Sequence, residues 1–368
     1  MSSPDGPAAR PVRSQRTRAP RKPVVAVTGA AKGIGAELVA ALCDSEVVGK
    51  VVAIDRERGS ATGATWRVAE VTEPAVAEKL AKVDCVVHLD VDTALDGDRR
   101  ARSERNLRAG QTVVTAAAAA GVKRVVLLTS AMVYGALPEN PVPLDEDAPL
   151  RAVPDGGLLT DWLEIERLAR TAARSHPQLE LTVVRPATLV GPGMDGVVSR
   201  HFEAPRLLVV RGSEPRWQFC HVDDLVSALV LAATGAVTGA VTVACEGWLE
   251  QQQVEELTGL RRIELPSSLA FGTAERLHRL GVIPAPASDL QYVVHPWAVP
   301  STRLLAAGWR PAYDNETALG LLLDEVSGHH AIAARRVGKR DATIGAGAAV
   351  AAVGTAALVR IARRKRRR

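Results

Sequence analysis

Short runs rich in Val and Ile alternate along the first half of the chain with longer, Ala-rich stretches of helical pattern. The runs fall at Val24–Thr28, Val51–Asp55, Thr65–Val68, Cys85–Leu89, Val125–Thr129 and Leu181–Val184. Strands alternating with helices form βαβ units, and runs without a polar alternation belong to a parallel sheet covered on both faces. The pattern predicts an α/β protein with a Rossmann-type, doubly wound parallel sheet over residues 23–186.

The rhythm then breaks. Residues 136–157 hold Pro138, Pro141, Pro143, Pro149 and Pro154 among acids and glycines, the makeup of a surface loop crossing the open edge of the sheet. Beyond Pro186 the alternation is irregular, so 187–330 reads as a smaller, mixed substrate lobe that also supplies part of the Rossmann fold. Residues 1–22, rich in Ser, Pro and Arg, read as a disordered basic arm. Residues 331–368 form a basic tail around an uncharged Ala/Gly/Val segment, 343–359, that is closed by Arg360 and Arg363–Arg368.

Charge is segregated. Of 46 Lys and Arg against 41 Asp and Glu, residues 1–22 and 335–368 hold 17 basic and two acidic ones. The body between them keeps 29 basic and 39 acidic residues, near −10, which makes it a poor platform for nucleic acid. Cys43, Cys85, Cys220 and Cys245 lack the close spacing of zinc or redox motifs and read as core residues, with no metal site. The start of the chain has no apolar signal-peptide run, so the expected location is cytoplasmic. The 343–359 segment is borderline in length and hydrophobicity for a membrane span, and its basic flanks suit anionic lipid at the inner face of the cell membrane.

The first βα unit carries the chemistry. Val24-Val-Ala-Val-Thr-Gly29-Ala-Ala-Lys-Gly33-Ile-Gly35 runs from a strand into a helix. Gly29 permits a tight turn, Gly33 lets backbone approach a pyrophosphate, and Gly35 lets the helix pack closely, with its N-terminal N–H groups toward the phosphates. Asp55 follows at the end of the second strand, where a carboxylate accepts both ribose hydroxyls and repels a 2′-phosphate. The cofactor expected is therefore NAD rather than NADP.

Thr28–Gly35, His88-Leu89, Asn106, Ser130-Ala-Met-Val-Tyr134-Gly135, Arg185-Pro186, Gly191-Pro192-Gly193 and His221-Val-Asp-Asp224 recur in order. Together they resemble the extended short-chain dehydrogenase/reductase superfamily, specifically the NAD-dependent epimerase/dehydratase family that includes UDP-glucose 4-epimerases. The resemblance implies Glu70 and Val71 beside the adenine, Leu89 near the cofactor ribose, Ser130 by the nicotinamide, a nucleotide-sugar substrate and a homodimer. Two features depart from it. The glycine spacing GxxxGxG is that of single-domain members, and Asp90 replaces the usual Ala near the pyrophosphate.

In that family a Tyr hydroxyl serves as general acid/base and a Lys four residues on lowers its pKa, both on one helical face. The family's spacing places Leu158 at the Tyr position and Trp162 at the Lys position. Independently of that alignment, the residues four beyond Tyr134, Tyr292 and Tyr313 are Pro138, Pro296 and Thr317, and no Lys lies between Lys123 and Lys339. The standard pair is absent, leaving Ser130 as the one catalytic candidate. Asp161 and Glu164 are expected as solvated helix charges, Tyr134 as a structural Tyr, His88 as a core histidine, and Asp223-Asp224 as caps of a helix beginning at Leu225. Thr188 and Val190 replace an Asn and a Tyr of the family's substrate stretch. Arg200, Arg206 and Arg211 are candidates for a diphosphate. Two functions remain open: an enzyme whose inherited activity is lost or rebuilt, and a non-catalytic dinucleotide-sensing or scaffold protein at the membrane.

Overall fold

The computed structural model describes residues 21–327 apart from 96, 205 and 280–286, together with the strand pairs Ala331–Ile332 and Arg335–Arg336. Most of the basic arm, His329-His330, the 343–359 segment and Arg363–Arg368 lie outside the described residues. Among those described, no helix is long and apolar enough to cross a membrane.

Seven parallel strands make the main sheet: β1 Val24–Thr28, β2 Lys50–Asp55, β3 Thr65–Val68, β4 Cys85–His88, β5 Arg124–Leu128, β6 Glu180–Pro186 and β7 Gly239–Val243, in the spatial order β7-β6-β5-β4-β1-β2-β3. Alternate residues of the central strands feed two separate cores. Val25, Val27, Val51, Ala53, Val87 and Val126 face helices α1 Gly33–Asp44 and, from much later in the chain, Val222–Thr234. Ala26, Val52, Ile54, Val86, Val125 and Leu127 face α2 Arg99–Ala119 and α3 Leu158–Ser175. Burial on both faces is why these strands read as unbroken apolar runs.

Six strands match the hydrophobic pattern to within two residues at either end. The seventh, β7, comes from within 187–330 and extends the sheet at the β6 edge. Its Gly-Ala-Val-Thr-Val sequence puts a polar residue, Thr242, in a buried position, where the Glu146 carboxylate accepts from its backbone N–H at 3.2 Å and its hydroxyl at 3.3 Å. That contact corrects the expectation for 136–157, which is more than a surface loop. Asn140 donates to the carbonyls of Gly135 and Pro296, Leu144 N–H donates to Ala298 O, and Glu146 is buried. The prolines shape a strap that packs against the C-terminal segment.

A buried polar knot joins β6, α3 and the turn after β5. Arg185 donates from Nε and Nη2 to the two carboxylate oxygens of Glu166, each at 2.7 Å, and from Nη1 to the Tyr134 hydroxyl at 2.7 Å. Thr129 donates to Glu166 at 3.0 Å, and Tyr134 donates to the Glu146 carbonyl. Removing one member of such a pair strands a charge out of water. Glu166→Ala is expected to destabilise the protein by about 3–5 kcal/mol in urea unfolding; a loss within experimental error would show that the knot contributes no net stability.

Candidate active site

In open α/β sheets a crevice forms where successive connections leave in opposite directions. Here β1 lies between β4 and β2, and a cleft of about 360 Å³ opens at the carboxyl ends of the strands. Gly29, Gly33, Gly35, Leu89 and Ser130 all line it. A second space of about 490 Å³ adjoins at the end of β2, shared by Gly29, Asp55, Leu89 and Asp90.

The three glycines are distinguishable. Gly29 has φ +70°, and a Cβ there would lie 2.7 Å from Asp90 N. A Cβ on Gly35 would lie 1.9 Å from the Gly29 carbonyl oxygen, so helix and turn touch through backbone. At Gly33, φ +51°, nothing stands within 4 Å of the missing side chain. Lys32, the N-cap of α1, makes no side-chain cap hydrogen bond, so the first turn of this 12-residue helix faces the cleft with its N–H groups uncapped by it. This is the shape and polarity that a pyrophosphate requires. Asp55 reinforces the turn: Oδ2 accepts from Ala31 N–H at 2.9 Å, and Oδ1 from Arg56 N–H at 2.7 Å. Each oxygen retains acceptor capacity for a ribose hydroxyl.

Glu70 and Val71 line neither space. Val71 is fully buried in the core between the sheet and α2, and Glu70 joins a chain of alternating charges, with Arg56 at 3.6 Å and Arg105 at 3.7 Å. The same Arg105 donates to Asp90 at 2.9 Å. Burial raises the Asp90 pKa while Arg105 opposes the rise. Asp90 is thus an ion-paired carboxylate, and its charge does not confront the glycine turn alone.

At the other end, Leu158 and Trp162 line the cleft one turn apart on α3. None of the tyrosines lines it. Tyr134 is held in the buried knot, where burial pushes its pKa up to about 12. The Tyr292 hydroxyl donates to Met132 O, and that of Tyr313 to Asp223. Ser130, the cap of a short 3₁₀ turn, accepts from Met132 N–H at 3.2 Å, and its hydroxyl borders the cleft.

Several expectations are corrected. Asp161 is fully buried rather than solvated: Asn106 donates to it at 3.0 Å and Arg102 lies at 3.4 Å. Apolar residues around it on α3 hid that position, because a charge at helical spacing reads as a solvent face unless its partner on another helix is known. Glu164 does pair with Arg167 near the surface. The helix expected from Leu225 begins at Val222, and its cap is His221, whose Nδ1 accepts from Asp223 N–H. Asp224 instead accepts from the N–H groups of Ala312 and Tyr313. His88 is buried against Thr28, and desolvation pulls its pKa down to about 4, leaving it neutral. Of the three arginines, Arg200 lines the cleft and is ion-paired with Asp195, Arg211 pairs with Glu264, and Arg206 is exposed. All four cysteines are free thiols. Among the described residues no His/Cys/Asp/Glu group has the geometry of a metal site.

The sequence pattern missed Asp289. It sits in a 3₁₀ helix, Ala287–Val293, lines the cleft and is 8% exposed. Burial and the neighbouring Asp155 raise its pKa to about 8, against a smaller lowering by Arg99. Nothing in its local sequence, between apolar stretches and a proline-rich segment, marks it.

The sheet order, the glycine turn and the crevice define a dinucleotide-binding protein of the doubly wound class. The chain belongs to the NAD-dependent epimerase/dehydratase family, whose sequence model matches residues 25–244. It is 30% identical over 257 residues to the uncharacterized protein Rv0501 of Mycobacterium tuberculosis, spanning 66% of this chain and 67% of that one. Among solved structures it is similar to MoeE5 in complex with UDP-glucuronic acid and NAD, at 25% identity and TM-score 0.60 over 83% of this chain and 99% of that one. The UDP-glucose 4-epimerase of Thermus thermophilus in complex with NAD shares the fold, at 19% identity and TM-score 0.60 over the same fractions.

The glycines give a direct test of the turn. Gly33→Ala is expected to cost about 1–2 kcal/mol, the strain of a left-handed backbone alone. Gly35→Ala should cost more, since its Cβ meets backbone. Equal losses in urea unfolding would contradict the close helix–turn contact.

Proposed function

We propose that this chain binds NAD across the carboxyl ends of β1, β2 and β4 and uses it on a nucleotide sugar or a related hydroxyl or carbonyl substrate, by a site without the Tyr/Lys pair. The carrying observation is the open position at Gly33, facing the uncapped N-terminus of α1 and continuous with the Asp55 carboxylate. In this arrangement α1 N–H groups hold the pyrophosphate, Asp55 the adenosine ribose, and Leu89 packs beside the ribose. Bound NAD supplies a hydride acceptor at the Ser130 end of the cleft. Ser130 offers a hydroxyl to the substrate oxygen, and the apolar walls at Leu128, Met132, Leu158 and Trp162 exclude water. The nucleotide-sugar class is supported by MoeE5, whose structure holds UDP-glucuronic acid.

A second function, dinucleotide sensing without turnover, is favoured by one observation: Leu158 and Trp162 border the cleft where the proton-transferring pair would stand. Incubation with NAD and a panel of UDP- and dTDP-sugars separates the two. A Ser130-dependent epimerisation or NAD reduction would eliminate the sensing role.

Both functions require Asp55. A hydrogen bond to a charged group contributes about 1.5–3 kcal/mol, so Asp55→Ala is expected to weaken NAD binding roughly 10- to 100-fold by calorimetry. Unchanged affinity would overturn the assignment of the ribose site.

A further inference from the structure

We propose that Asp289, buried in the lining of this cleft, is its acid/base, exchanging a proton with the substrate hydroxyl in place of the missing phenol. The inference rests on the NAD-dependent function proposed above.

Position carries the first part of the argument. The 3₁₀ helix bearing Asp289 is fastened on both sides of it to the cleft wall. Ser288 donates to Asp155 Oδ2 at 3.2 Å, and the Tyr292 hydroxyl donates at 2.7 Å to the carbonyl of Met132, two residues beyond Ser130. Asp155 is itself fixed at the start of α3, where Oδ1 accepts from Gly157 N–H at 2.8 Å and from the Thr160 hydroxyl at 3.2 Å. The next residue along, Leu158, lines the cleft. Asp289 is therefore held between the Ser130 wall and the Leu158 wall, the interval that an acid/base has to occupy.

The second part is chemical. Two neighbouring carboxyl groups favour one proton between them, because two adjacent carboxylates repel. Asp155 already accepts from Gly157, Thr160 and Ser288, which leaves the proton with Asp289. Independently, Arg102 lines the same cleft at 7% exposure, and its buried Nη2 finds no hydrogen-bond partner among the described residues.

The elements packed around Asp289 set its charge environment. They bring Arg99 from the start of α2, Asp155 from the loop before α3, Arg200 with its partner Asp195 and the half-buried, neutral His201 from around Val197–Phe202, Glu275 and Arg276 from Ser267–Arg279, and Tyr292 from its own turn. In the oxidative direction Asp289 acts in its ionised form, whose share grows as pH rises toward 8: the substrate O–H bond breaks and its proton passes to that carboxylate. The O–H electron pair becomes the second bond of the carbonyl, and the carbinol hydrogen leaves with two electrons for the bound dinucleotide, which is the oxidant. Return of both restores the alcohol.

The test begins without substrate. Infrared difference spectra of the full chain between acidic and alkaline pH should show the carbonyl stretch of a protonated carboxylic acid titrating near pH 8 and lost in Asp289→Asn. A carboxyl whose pKa is higher folded than unfolded makes the folded state bind more protons between the two values. Thermal stability should therefore fall as pH rises from about 4 to 8, and Asp289→Asn should flatten that slope. Asp155→Asn, which keeps Asp289, should move the titration to lower pH. NAD affinity of Asp289→Asn should stay within about threefold, whereas NAD reduction with UDP-glucose or UDP-glucuronic acid should fall at least about 100-fold. Persistence of the infrared band in Asp289→Asn, an unshifted titration in Asp155→Asn, or an unchanged rate and pH profile would overturn the proposal, as would a native protein that binds NAD and reduces it with neither sugar. Failure of the native protein to bind NAD would sink the proposed function and this role together, while bound NAD with a silent carboxyl would sink this role alone.

Discussion

Burial of the central strands on both faces is the constraint from which the rest of the molecule follows. Once Val25 and Val27 serve one core while Ala26 serves the other, no side chain of β1 is left to meet a ligand. Recognition is pushed to the ends of the strands, where the chain turns out of the sheet. Where β1 and β4 part company a gap wide enough to hold a molecule opens, and backbone there is exposed because glycine keeps side chains away. The contact of Gly35 with the Gly29 carbonyl is the packing condition that lets α1 start at the mouth of this gap.

The same economy of buried space explains where the polar residues went. Arg185, Glu166, Tyr134 and Thr129 satisfy one another inside the protein, so the tyrosine nearest Ser130 in sequence is committed to structure. Its hydroxyl both donates and accepts within the knot, and burial opposes its ionisation. A phenol so held is a strut. Asp161 is buried with Asn106 and with Arg102, which lines the cleft, and Asp90 is balanced by Arg105. Along the cleft itself, α3 and the β5 turn contribute the apolar side chains of Leu158, Trp162, Leu128 and Met132.

The fold was legible in the sequence because it rests on local rules: unbroken Val-rich runs for doubly covered strands, glycines where a helix meets a turn, and a carboxylate closing β2. The edge strand β7 was not, since its Gly239-Ala-Val-Thr-Val is too short and too polar to stand out without Glu146, which lies 96 positions away from Thr242. The site divided in the same way. Gly29, Gly33, Gly35, Leu89 and Ser130, close to strand ends, meet at one cleft, and Leu158 and Trp162 line it as well. Asp161 reads as a solvated charge in the sequence and Asp289 does not stand out at all, because a carboxylate's environment is set by partners from distant segments: Arg102 for one, and Asp155 for the other.

The tie between Tyr292 and the Met132 carbonyl spans 160 positions of chain. Its consequence concerns the order in which the molecule can be assembled during synthesis. The floor of the cleft, from Gly29 to Ser130, is complete in sequence well before its far wall leaves the ribosome. Until the Ala287–Val293 turn arrives, the nascent protein lacks the part of the wall that carries Asp289.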